Sequence, residues 1–121
     1  MIDERKRKEQ LEKIVDKIQG IVSDQSFYTF YENDDVARVS LQITMTCRKL
    51  SNCIDVLEAY SKRGKLKEDA AYIRSEYMAY KTLVSDKECD LKYLSESRAA
   101  LKKFAQNIDS KCDHVIVELY K

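Results

Sequence analysis

The residues best suited to chemistry are four cysteines, Cys47, Cys53, Cys89 and Cys112, and a single histidine, His114. An imidazole beside a thiol makes a nucleophile, and three or four such groups converging make a metal centre. The spacing argues against both. Cys112 and His114 are two residues apart, which on a helix turns them about 200° away from each other. Cys47 and Cys53 are six apart, about 120° around the same cylinder. Cys53 and Cys112 fall on apolar seams, where a thiol is a small buried hydrophobe; a helix-to-helix thiol switch is the reactive alternative. With no knottin or zinc-ribbon spacing, the cysteines read as reduced thiols. His114 reads as a surface residue.

Other chemistries lack their parts. The only glycines are Gly20 and Gly64, so no glycine-rich loop can cradle a phosphate. The G-x-S-x-G, H-E-x-x-H and Walker patterns are missing. Carboxylates are abundant but fall on polar helix faces, not on an apolar seam where burial would raise a pKa for acid-base work. The expectation is a protein that is not an enzyme and needs no metal or cofactor.

The elements that position these residues are helices. An apolar ladder runs Leu66, Ala70, Ile73, Tyr77, Tyr80, Val84, Leu91, Leu94, Leu101, Ala105, Ile108, Cys112, Val115, Leu119, with rungs missing only at Lys87 and Arg98. Its steps of three and four are the helical period, and the chain has no proline to break it. A first helix is expected over about 3–22, with Leu11, Ile14, Val15, Ile18, Ile21 and Val22 as its stripe. A linker follows over about 23–34. A second helix is expected over about 35–62, capped by Asn33 or Asp34, with the seam Val36, Val39, Ile43, Thr46, Leu50, Cys53, Leu57, Tyr60. Lys62-Arg63-Gly64 is its stop signal.

Residues 66–120 follow as one helix or two. Ser85 to Glu88 forms a capping box that would break the segment at 85–88; the unbroken phase of the ladder argues for continuity. The fold class is therefore all-α, a single domain of three to four long helices. They form an antiparallel helical bundle if the segment breaks, or an elongated coiled-coil hairpin if it does not. The hairpin buries little and would dimerise.

Four surface features stand out. Phe27, Tyr28, Phe30 and Tyr31 crowd the linker; they either plug the end of the bundle or form a partner-docking patch, rimmed by Glu32, Asp34 and Asp35. Lys62, Arg63, Lys65 and Lys67 make a basic turn that suits phosphate or an acidic surface, or is simply solvated. Arg5-Lys6-Arg7-Lys8 is a second basic run, balanced by nearby acids. Eight tyrosines against three phenylalanines suit half-buried edges or an interface. Arg98, flanked by Leu94 and Leu101, is a candidate for setting register across an interface.

Composition narrows the function. Charged residues are 36% and apolar ones 44%, with a net charge of +1, which weighs against a dedicated nucleic-acid binder. No signal peptide or membrane span is evident, so a cytoplasmic location is expected. The leading expectation is a small adaptor, chaperone-like or inhibitory module that binds another protein through a helical face and the aromatic linker. A self-assembling coiled-coil homodimer is the first alternative. Nucleic-acid binding through the 62–67 turn is the second.

Overall fold

The computed structural model describes residues 4–121, so the expected helix start near Asp3 lies outside the described residues. Five α-helices are present among the described residues: α1 (Glu4–Ser23), α2 (Val36–Tyr60), α3 (Gly64–Lys87), α4 (Leu91–Glu96) and α5 (Arg98–Leu119). A 3₁₀ turn covers Gln25–Phe27, and there is no strand among the described residues.

The four long helices form a ring in which α1 packs on α2, α2 on α3, α3 on α5 and α5 on α1. Side-chain ties, taken with Lys8 of α1 over the Tyr120 ring just past α5 at 5.7 Å and Lys111 of α5 3.9 Å from Asp69 of α3, set neighbouring helices antiparallel. Arg7 Nη2 donates to the Tyr60 carbonyl at 2.8 Å, and Gln19 Nε2 donates to Asp113 Oδ1 at 2.9 Å. Tyr77 donates its hydroxyl to the Cys47 carbonyl at 3.1 Å, and Asn107 Nδ2 donates to Glu76 Oε2 at 3.3 Å. Arg74 grips both Asp55 and Glu58 of α2. The result is an up-down-up-down four-helix bundle; the chain takes this arrangement and not the extended hairpin.

The ladder supplies the core. Each of its rungs from Ala70 to Leu119 is buried, and Leu66 is half-buried. Its two missing rungs carry the topology. Lys87 is the last residue of α3 and Arg98 the first of α5, so the polar interruptions mark where the chain reverses. The reversal lies beyond the expected capping box. Ser85 is inside α3, and Asp90 is the real cap, accepting from Tyr93 N at 3.0 Å. A second break at Ser97 divides α4 from α5. Apolar phase survives both breaks because each helix restarts with its stripe facing the same core.

The turns obey local chemistry. Asp35 caps α2 by accepting from the amides of Ala37 and Arg38. Helix α2 closes on Ser61, and Gly64 holds φ +62 at the head of α3, a left-handed conformation that favours glycine.

Candidate protein-docking groove

Helix α2 faces inward through Val39, Ile43, Cys47, Leu50, Ile54 and Leu57. This stripe corrects the expected seam: Cys47 and Ile54 replace Thr46 and Cys53, which turn toward α1 and are half-buried. Val36 is exposed. The shift arises because a bundle helix packs against two neighbours, so its buried face is wider than a two-helix seam.

Rotating the seam leaves apolar side chains on the outside of α2. Leu41 is 61% exposed, Met45 46% and Val56 37%. Together with Lys49 and Asn52 they recur at steps of four, four, three and four, a second helical stripe on the solvent side. Leu41, Met45 and Cys53 line one wall of an open groove of about 1020 Å³ between α1 and α2. Gly20 and Ile21 of α1 line the other. Beyond its chain neighbours and the local backbone of α1, nothing lies within 4 Å of where a Cβ on Gly20 would sit, so the missing side chain widens the groove. Lys17, Arg38 and Lys49 rim it, with Asp24 as the acid among its described lining residues.

The rim charges differ in how they are held. Arg38 Nη2 pairs with Asp34 at 2.7 Å. Lys17 and Lys49 form no ion pair among the described residues. Asp24 Oδ1 accepts from the Ser26 amide at 2.9 Å, and that bond holds its carboxyl below the usual range. Burial raises the Cys53 thiol, partly offset by the Lys17 charge.

The aromatic linker is divided. Phe27 and Phe30 are buried in the core. The Phe27 ring stacks on Tyr80 of α3 at 3.9 Å between centroids. The Tyr80 hydroxyl donates to the Phe27 carbonyl at 2.6 Å, and burial drives its pKa far upward. Tyr28 is half-buried beneath Arg98 and Lys102. Tyr31 alone of the four is fully on the surface.

Arg98 is exposed and acts within the chain. Its Nε donates to Thr29 Oγ1 at 3.1 Å, so it ties the linker to α5. Lys87 lies over the Tyr93 ring at 5.0 Å. Lys62, Arg63, Lys65 and Lys67 are all exposed, with Lys65 3.7 Å from Glu68. No side chain caps α3.

The thiols are mostly sequestered. Burial pushes Cys47 up to about 11 and Cys112 up to about 12; Cys89 is exposed. His114 is exposed. Among the described residues no three His, Cys, Asp or Glu side chains gather closely enough for a metal ion, and no helix is long and apolar enough to cross a membrane.

Sequence reasoning missed the groove and also Asp69. That carboxylate is 1% exposed, with Oδ1 3.9 Å from Lys111 Nζ and Oδ2 without a hydrogen-bond partner. The stripe Leu41, Met45, Val56 was visible in the spacing, had a second stripe been sought on one helix. Asp69 carried no such signal.

Comparison with protein-family models, with curated proteins and with solved structures returns no match.

Proposed function

We propose that this chain is a small non-enzymatic protein-binding module that seats a helix of another protein in the α1–α2 groove. The observation that carries this reading is the outward stripe of Leu41 and Met45 beside Ile21 and Gly20. A bundle whose core is already complete has no internal use for a second apolar face on one helix. Helix-in-groove recognition uses such a face, with anchors at steps of three and four. The aromatic linker contributes differently from the expectation: its phenylalanines hold the bundle end together, and the groove takes over as the docking surface.

The test is a paired comparison. Leu41→Ser with Met45→Ser should leave the thermal midpoint within a few degrees of the parent, because both side chains are exposed. The double variant should lose a partner that the parent captures from native lysate, whereas Tyr31→Ser should retain it. Capture that survives the double substitution and fails with Tyr31→Ser would return the interface to the linker.

A further inference from the structure

We infer that the occupant of the α1–α2 groove is an acidic amphipathic helix of another protein, about four turns long. This inference rests on the docking reading above and adds the partner's chemistry. The length follows from the lining. Arg38 and Cys53 stand at its two ends on α2, and fifteen residues of helix span about 22 Å.

The charge follows from the rim. The antiparallel register that brings Arg7 to the Tyr60 carbonyl sets Lys17 of α1 and Lys49 of α2 at nearly the same level, on opposite sides of the groove. Neither is used in an ion pair among the described residues. Asp24 lies seven residues beyond Lys17, just past the end of α1, and is engaged by Ser26. Arg48 is exposed on the α3 side of α2, outside the groove lining, while the acids of α2, Asp55 and Glu58, are held by Arg74. An apolar strip whose two walls each carry an unpaired cation, Lys17 and Lys49, fits a helix with an apolar face and carboxylates beside it.

The same charges argue against a second copy. Two copies joined through this stripe by a two-fold axis share one surface patch. Arg48 and Lys49 lie midway between Leu41 and Val56. Parallel or antiparallel, the pairing sets these cations against their own counterparts, and like charges juxtaposed across an interface are unfavourable.

The probes are two synthetic leucine-faced helices of equal length, one flanked by glutamates and one by lysines, titrated into the full chain by fluorescence anisotropy at low salt. The glutamate helix should bind at least about tenfold more tightly, with the Ile21 and Met45 methyl signals shifting in NMR spectra. Lys17→Glu with Lys49→Glu should reverse the preference, and 0.5 M salt should flatten it. Equal binding of both helices, lost in Leu41→Ser/Met45→Ser, would overturn the acidic partner while leaving the docking reading intact. Binding of neither helix would overturn both. A parent dimer that Leu41→Ser/Met45→Ser dissociates would give the face to a second copy and overturn the inference.

Discussion

Cys47 and Cys112 show how the fold disposes of reactive groups. Both thiols titrate well above the 9.0 of a free thiol because burial disfavours the thiolate. Below pH 9 both folded and unfolded chains keep the proton. Above it the unfolded chain releases first, so the fold loses stability as pH rises, until the thiols ionise in place near about 11 and about 12. The slope is up to about 1.4 kcal/mol per pH unit for each thiol. Urea midpoints at pH 8 and pH 10 should therefore diverge, and Cys112→Ala should narrow the gap. Iodoacetamide at neutral pH should modify Cys89 first, then Cys53, and reach Cys47 and Cys112 only after unfolding. Asp69 is a buried carboxyl with a cation beside it: Lys111 Nζ lies 3.9 Å from its Oδ1 and 4.7 Å from the Tyr72 ring. Lys111→Met strands that carboxylate and should cost about 3 kcal/mol in urea unfolding; adding Asp69→Asn should recover part of the loss. Nothing in the linear pattern announces Asp69, because its burial is made by side chains of α5 distant in sequence.

At the level of elements, the two glycines make opposite predictions. Gly64 sits at φ +62, so Gly64→Ala should destabilise by about 1 kcal/mol. Gly20 lies inside α1 with open space beside it. Gly20→Ala should stabilise by up to about 1 kcal/mol, read from the same thermal melts. The helices themselves were legible: α1 ends at Ser23 and α2 runs Val36–Tyr60, close to where the apolar stripes stop and start, and the ladder is the core. The reversal between α3 and α5 was left open by the sequence: unbroken apolar phase suits one helix and the Ser85–Glu88 capping box suits two, and in the structure Lys87 and Arg98 are polar because they stand at helix ends. The capping box at Ser85 lost to Asp90, whose carboxylate reaches the Tyr93 amide. Local capping sequences compete, and the one that lets Leu91 and Leu94 reach the core prevails.

For the molecule as a whole, four long helices close on one core and leave an apolar face on the outside of α2. The exposed cations along that face oppose self-pairing, so the chain should sediment as a 14.2 kDa monomer at micromolar concentration. A concentration-dependent mass would contradict that expectation. The groove itself was hidden from a reading that assigned one stripe to each helix. Leu41 and Met45 lie off the expected seam of α2, and the half-buried Cys53 that lines the groove had been placed on that seam.

The segment joining α1 to α2 is fastened elsewhere. Phe27 stacks against Tyr80 of α3, and Thr29 is held by Arg98 of α5. The connection between the two walls is thus held by α3 and α5, outside the groove. On the proposed docking reading, such a frame should meet its guest in a single step, with no prior gating. Observed association rates should climb in proportion to guest concentration without reaching a plateau.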